Sequence, residues 1–137
     1  MTALSKAIQA RVDRKLKSVQ ARRPLQPAIV AKLKEQFALE MTYNSNAIEG
    51  NRLSLKETYL VLNEGMTVKG KSLKEHLEAK NHHEAIHYLE ELIEHNKRHT
   101  FSEHALRSLQ QLVVKDTEAH AAGRYRDGAV LISGSRH

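Results

Sequence analysis

Three helix-start patterns divide the middle of the chain and restrict it to a largely helical fold. Each is a Ser or Thr followed three residues later by Glu, a capping box whose side chains bind the first free backbone N–H groups of a helix. The three pairs are Ser54–Glu57, Ser72–Glu75 and Thr100–Glu103. They predict a short helix that ends at Gly65, a long helix from about Leu73 to His95, and another from about Ser102 to Lys115.

Two further helices are predicted in the first 50 residues. Pro24 and Pro27 lack a backbone N–H, so they end a first helix and open a second one, from about Ala28 into the Asn-rich stretch 44–46. Gly50 and Asn51 adopt left-handed backbone angles easily and therefore predict the end of that second helix.

The composition is that of a single globular domain. The 137 residues are 40% hydrophobic and 28% charged, and none of them is Cys. The absence of Cys excludes disulfides and thiolate metal sites, and no apolar run is long enough to cross a membrane. These features are compatible with a reducing cytoplasm, which is the expected location.

Positive charge is concentrated at the N-terminus. The first 23 residues carry seven Lys or Arg and one Asp, whereas the other 114 carry 15 basic and 15 acidic residues. The same stretch has an apolar stripe at helical spacing, formed by Leu4, Ile8, Val12, Leu16 and Val19. Nucleic acid, acidic lipid or an acidic protein could meet the basic face. A solvated face is favoured over nucleic-acid binding, because no aromatic residue is interleaved for base stacking.

The segment 83–87, HEAIH, matches the zinc-peptidase pattern H-E-x-x-H. A catalytic zinc also needs a third protein ligand and an open fourth position. On a helical wheel, His76, His83 and His87 lie together at the flank of an apolar stripe, beside Lys80. We therefore predict a boundary or solvated face and no metal site, with incidental metal binding and a zinc peptidase as the alternatives.

Four segments beyond residue 40 occur in an order and spacing that resemble one known family. They are Ser45-Asn46-Ala47-Ile48-Glu49-Gly50; Asn51-Arg52-Leu53-Ser54-Leu55 with Gly70-Lys71-Ser72-Leu73; Gly123-Arg124-Tyr125-Arg126; and Val130-Leu131-Ile132-Ser133-Gly134-Ser135. The first resembles the inhibitory-helix pattern Ser/Thr-x-x-x-Glu-Gly/Asn of Fic-domain proteins, which transfer AMP from ATP to protein hydroxyls. The last resembles the first strand of that family's β-hairpin flap.

The resemblance implies an all-α fold, the helical N-terminal part of a Fic domain that ends in the first strand of the flap. It also implies two parts. Residues 1–39 would hold the basic helix and a second helix, and residues 40–137 would hold the inhibitory helix and an incomplete Fic domain.

For function, the resemblance implies the N-terminal regulatory portion of a protein adenylyltransferase. In the family, the motif glutamate, here Glu49, pairs with an arginine that otherwise binds the ATP γ-phosphate. Ser45, one turn earlier, could steady Glu49 by a hydrogen bond, and Gly50 and Asn51 complete the regulatory motif.

The family's catalytic signature, His-Pro-Phe-x-Asp/Glu-Gly-Asn-Gly-Arg-x-x-Arg, does not occur in these 137 residues. No catalytic residue is therefore assigned here, and the chain alone is expected to be inactive. ATP and Mg²⁺ are the cofactors expected of the complete protein, and neither is expected to bind this chain.

The flap resemblance implies that Val130, Leu131 and Ile132 offer a strand edge to an extended target peptide. Residues 133–135, Ser133, Gly134 and Ser135, would lie near the nucleotide. The expected partner is a target protein of unknown identity, and exposed helix faces favour a homo-oligomer. Residues after about Ala119 are expected to lack fixed structure without a neighbour.

Two other functions remain open at this point. One is a free-standing regulator that inserts the Glu49 helix into a separate Fic core, as antitoxins do. The other is a helical module that binds nucleic acid through its basic first helix.

Overall fold

The structure is a computed structural model that describes residues 5–95 and 102–129. Within these ranges all regular elements are helical, which confirms the all-α prediction. The helices are α1 Lys6–Gln20, α2 Pro27–Ile48, α3 Leu55–Asn63, α4 Leu73–His95 and α5 Glu103–Val114, followed by a short 3-10 helix at Ala119–Ala121. The strand expected from Val130 onward lies outside the described residues. None of the described helices is long and apolar enough to span a bilayer.

Local capping explains where α3 and α4 begin. The Ser54 hydroxyl accepts from the Glu57 N–H at 3.3 Å, and the Glu57 carboxylate accepts from the Ser54 N–H at 2.7 Å. Ser72 and Glu75 repeat this reciprocal pair at 3.2 Å and 2.7 Å. Two of the three capping boxes predicted from the sequence are therefore confirmed.

The start of α5 differs from the predicted capping box. Ser102 is its N-cap, and its hydroxyl accepts from the Ala105 N–H at 3.1 Å. Glu103 is thus the first residue of the helix instead of the third. The cap is therefore Ser102 and not Thr100, which was predicted two residues earlier, because the cap must lie directly before the first helical residue.

The chain divides into two compact units, one ending at Glu35 and the other beginning at Gln36, so the division falls inside α2. In the first unit, Ser5 caps α1 and none of the helix's side chains is buried. The division expected at residue 39 from the family resemblance stays a prediction.

The core of the second unit is small and built largely from short side chains. Leu53, Val61 and Ala79 form its buried cluster, and Val68 packs against them. The long helix α4 packs on both α3 and α5. Between α4 and α5, the fully buried Asn81 donates to the Val113 carbonyl at 3.4 Å. Polar side chains therefore complete an interior that has few large apolar residues.

The stretch after α5 has more fixed structure than the sequence predicted. Residues 119–121 form the 3-10 helix, and the Gly123 N–H is bound by the side chain of Gln110. The expectation that order ends at about Ala119 is wrong for this stretch, because side chains of α5 bind its backbone.

Leu53→Ala tests the core assignment. Leu53 is 4% exposed in the buried cluster, so its truncation should cost about 3 kcal/mol of unfolding free energy. Leu55→Ala is the matched control: Leu55 is 41% exposed on α3, and its truncation should cost less than about 1 kcal/mol. Urea denaturation followed by circular dichroism measures both. Equal losses would contradict the assignment of Leu53 to the core.

Candidate functional site

Glu49 lies directly after the last residue of α2, where the chain reverses. Its N–H donates to the Ser45 carbonyl at 3.4 Å, and the Gly50 N–H donates to the Ala47 carbonyl at 3.1 Å. Gly50 has φ +92°, a left-handed angle that a residue with a Cβ rarely adopts. Apart from Gly50 and its two neighbours in the chain, no described residue has an atom within 4 Å of the place where a Gly50 Cβ would stand. Backbone angle, and not lack of space, therefore makes glycine the residue for this turn.

The Glu49 side chain is exposed, and its carboxylate has no hydrogen bond or ion pair with any residue in the described ranges. It stands at the negative end of the α2 dipole, where a second negative charge is unfavourable. The contact that Ser45 makes with Glu49 is through its backbone carbonyl. The local structure thus leaves this carboxylate able to pair with a cation from elsewhere.

Asn51 ties the turn to α4. It is only 9% exposed, and its side-chain amide donates to the Glu75 carbonyl and to the Glu78 carboxylate, both at 2.9 Å. The amide oxygen accepts from the Leu53 N–H at 3.0 Å. The sequence assigned Asn51 a backbone role at the helix end, whereas the structure also uses its side chain as an internal anchor.

An ion pair between Arg52 and Glu75 adds a second connection. The Arg52 Nε and Nη2 donate to the two Glu75 carboxylate oxygens at 2.9 Å and 3.1 Å, and the Arg52 N–H donates to the same group at 3.1 Å. On the other side, the Lys71 ammonium donates to the Arg52 carbonyl. Arg52, three residues after Glu49, is therefore bound through its side chain and through its backbone.

Glu75 is the centre of this network. Its side chain is 10% exposed, whereas that of Arg52 is 67% exposed. The Ser72 N–H and hydroxyl also donate to it, at 2.7 Å and 3.0 Å. The Arg52 side-chain hydrogen bonds, followed by the Ser72 N–H, hold the pKa of Glu75 far below its usual range. Sequence reasoning identified Glu75 as a helix cap and missed its pairing with Arg52, because no local pattern connects residues 23 positions apart.

The histidines of α4 do not share one solvated flank, so that prediction needs correction for His76. His76 is 8% exposed; its Nε2 accepts from the Val68 N–H at 2.9 Å, and its Nδ1 lies 2.7 Å from the Ser72 carbonyl oxygen. Both ring nitrogens are therefore used inside the fold. A helical wheel gives only the direction of a side chain, and here the loop before α4 folds over it.

His83 and His87 do lie side by side, with ring centroids 4.4 Å apart in an edge-to-face arrangement. Burial, with a smaller contribution from neighbouring His87, lowers the pKa of His83. Across residues 5–95 and 102–129, no three His, Asp or Glu side chains are grouped so that they could hold a metal ion. The Glu84 carboxylate instead pairs with Lys115 at 2.6 Å.

The six residues assigned to the flap, Val130, Leu131, Ile132, Ser133, Gly134 and Ser135, lie outside the described residues. The stretch that leads to them is described as far as Ala129.

Comparison with known proteins gives three similar sequences and one similar structure. Over 102 residues the chain is 34% identical to a protein adenylyltransferase Fic of Nematostella vectensis, which covers 74% of this chain and 23% of that protein. Proteins named protein adenylyltransferase fic-1, from Caenorhabditis briggsae and Caenorhabditis elegans, are each 31% identical over 90 residues, 66% of this chain and 18% of theirs.

The similar structure is that of C. elegans Fic-1, residues 134–508. It matches with a TM-score of 0.70 and 26% identity over 89% of this chain and 38% of that one. No family model matches the chain. The chain spans about a fifth of the length of the curated relatives that it matches.

Glu75→Gln tests the ion pair through its pH dependence. Because the fold lowers the pKa of Glu75, the unfolded state takes up its proton first as the pH falls below the ordinary value of 4.5. The free energy of unfolding of the wild type then falls, because the charged carboxylate no longer stabilises the fold. The Gln variant lacks this carboxylate, so its free energy of unfolding does not fall for this reason. The stability difference between the two proteins should be largest above pH 5 and should narrow at lower pH.

Thermal unfolding at pH 7, 5, 4 and 3 measures this difference. The pKa of Glu57 is also lowered, but Glu57 is present in both proteins, so its contribution to the pH dependence cancels in the difference. A difference that stays constant from pH 7 to pH 3 would contradict the assigned role of Glu75.

Proposed function

The chain belongs to the Fic family, and we propose that it is the regulatory part of a protein adenylyltransferase, with Glu49 as the inhibitory group. The complete protein would transfer AMP from ATP to a Ser, Thr or Tyr hydroxyl of a target protein. The hydroxyl would give its proton to a base of the catalytic core, its oxygen would bond to the α-phosphorus, the bond from that phosphorus to the β-phosphate oxygen would break, and pyrophosphate would leave. ATP and Mg²⁺ supply this chemistry in a catalytic core, and no residue of this chain matches the nucleotide-binding signature.

The single observation that supports the proposal is the exposed carboxylate of Glu49, which has no partner among residues 5–95 and 102–129 and stands at the end of α2. A guanidinium can form a bidentate pair with one anion at a time, either a carboxylate or a phosphate. If Glu49 occupies an arginine of the core, that arginine cannot bind the γ-phosphate. ATP would then be bound poorly or in a pose unsuited to in-line attack.

The neighbouring charges fit this role. Arg52 is only three residues from Glu49 and is exposed, so it could have neutralised the glutamate locally. It is instead engaged by both oxygens of Glu75. No cation in the described part of the chain therefore pairs with Glu49, which suits pairing with an arginine of a catalytic core, and the Arg52–Glu75 pair holds the segment directly after Glu49.

Glu49→Gly tests the proposal in a polypeptide that joins this chain to a Fic catalytic core. Removing an inhibitory carboxylate should raise AMP transfer about 10-fold or more, since a hydrogen bond between charged groups contributes about 1.5–3 kcal/mol. Transfer of radiolabelled AMP from ATP to protein measures the rate. Glu64→Gly is the matched control, because Glu64 is also an exposed glutamate directly after a helix, and it should leave the rate unchanged. Equal rates for wild type and Glu49→Gly would overturn the inhibitory role.

A further inference from the structure

We propose that α1 is an interfacial helix that binds the surface of a bilayer containing acidic phospholipids. Its apolar stripe would enter the boundary between headgroups and acyl chains, and its basic side chains would meet the lipid phosphates. The inference concerns residues 5–23, all of which the structure describes. It goes beyond the proposed function and does not depend on it, because lipid binding requires neither ATP nor a catalytic core.

The apolar stripe of α1 is exposed along the whole described helix. Its four side chains are between 40% and 53% exposed: Ile8, Val12, Leu16 and Val19. Within the unit that ends at Glu35, α1 and the first turns of α2 do not pack on each other. An amphipathic helix gains little from an apolar stripe that stays in water, so this pattern indicates a surface that a partner covers.

The rest of this segment is strongly basic. Residues 5–23 carry a net charge of +6, from seven basic residues and one acidic residue: Lys6, Arg11, Arg14, Lys15, Lys17, Arg22 and Arg23, against Asp13. All of these side chains are exposed. None of them forms an ion pair with another of residues 5–95 and 102–129. The partner of the apolar stripe therefore also meets a large, uncompensated positive charge.

Basic side chains stand directly beside the stripe. With about 100° per residue, the stripe covers an arc of about 80° from Ile8 to Leu16. Lys15 and Arg11 lie about 20° and 60° outside this arc, on the Ile8 side. Long side chains at such positions lay their alkyl stems along an apolar surface and extend their charges to the headgroups. This arrangement is typical of helices that lie in the plane of an anionic membrane surface.

The first turn of α1 also favours an external anion. Ser5 caps the helix, and its hydroxyl accepts from the Ile8 N–H at 3.4 Å. The turn begins with Lys6 and contains no acidic residue. A positive charge at the positive end of the helix dipole is unfavourable. Lipid phosphates beside this turn would compensate both the dipole and the lysine.

Two other partners would use only part of these features. Nucleic acid would use the charges but not the apolar stripe, and residues 5–23 contain no aromatic side chain for base stacking. A second copy of α1 would cover the stripe, but Arg11 and Lys15 at its edge would bring like charges together at the seam. An anionic bilayer gains from the stripe and from the charges at once.

Co-sedimentation of the full chain with sucrose-loaded vesicles tests the inference. Vesicles of phosphatidylcholine with roughly 30% phosphatidylserine should bind it at least about 100-fold more strongly than phosphatidylcholine alone, because each basic residue near an anionic surface contributes about fivefold. Arg11→Gln with Lys15→Gln removes two charges and should weaken binding about 25-fold. Val12→Gln with Leu16→Gln keeps the charge and should weaken binding about 10-fold or more. Gln is a good helix former, so α1 stays helical in both variants.

Matched double variants in the second unit separate a site on α1 from overall charge and hydrophobicity. Lys56→Gln with Lys80→Gln removes the same charge from exposed positions. Ile93→Gln with Leu106→Gln replaces two apolar side chains that are 57% and 52% exposed. Both controls should bind the phosphatidylserine vesicles as the wild type does.

Three results would overturn the inference. The first is equal binding to the two kinds of vesicle, or equal losses in the α1 variants and their controls. The second is tighter binding to a short DNA duplex than to the vesicles, with no loss in the stripe variant, which would assign α1 to nucleic acid. The third is a dimer in sedimentation velocity that the stripe variant dissociates, which would assign the stripe to a second copy of the chain. None of these measurements involves AMP transfer, so failure here is distinguishable from failure of the proposed function.

Discussion

The bidentate pair between Arg52 and Glu75 is the interaction on which the described site depends. One carboxylate performs two tasks, because it caps the start of α4 through Ser72 and binds the segment that follows α2 through Arg52. With Asn51 bonded to the same helix, the turn that carries Glu49 is attached at successive residues. A charge-assisted pair with little exposure of its acid is stronger than an ordinary surface ion pair, so this turn has a defined position without a large apolar core beneath it.

Glu49 and Glu75 show how differently two identical side chains can be surrounded in the same site. Glu75 receives hydrogen bonds from two backbone N–H groups, a hydroxyl and a guanidinium. Glu49, on the preceding turn, receives none from the described residues. Because Glu75 engages Arg52, the nearest arginine in the sequence does not pair with Glu49. The structural ion pair therefore agrees with the proposed inhibition, which requires a Glu49 that is not neutralised locally.

Polar side chains perform much of the positioning in this fold. The chain is only 4% aromatic, and its buried cluster consists of a leucine, a valine and an alanine. Asn51 fixes the turn after α2, His76 binds the loop before α4, and Gln110 binds the segment that follows α5. Each of them also accepts from a backbone N–H outside the helices, that of Leu53, Val68 and Gly123 respectively. Such contacts are directional, so they set the orientation of a segment as well as its distance from the core.

The sequence by itself determined the helix boundaries and the family, and the tertiary structure decided which side chains meet. The Ser54–Glu57 pair and the Gly50 stop act within a few residues, so their effect on α2 and α3 can be read locally, and α4 begins and ends where the pattern predicts. The inhibitory role proposed for Glu49 comes from the resemblance of residues 45–50 to a motif of the Fic family. By contrast, the inward position of His76, the Arg52–Glu75 pair and the Gln110–Gly123 contact were not predicted. These contacts join residues 8, 23 and 13 positions apart, and such pairs depend on how helices and loops pack in three dimensions, which no local spacing encodes.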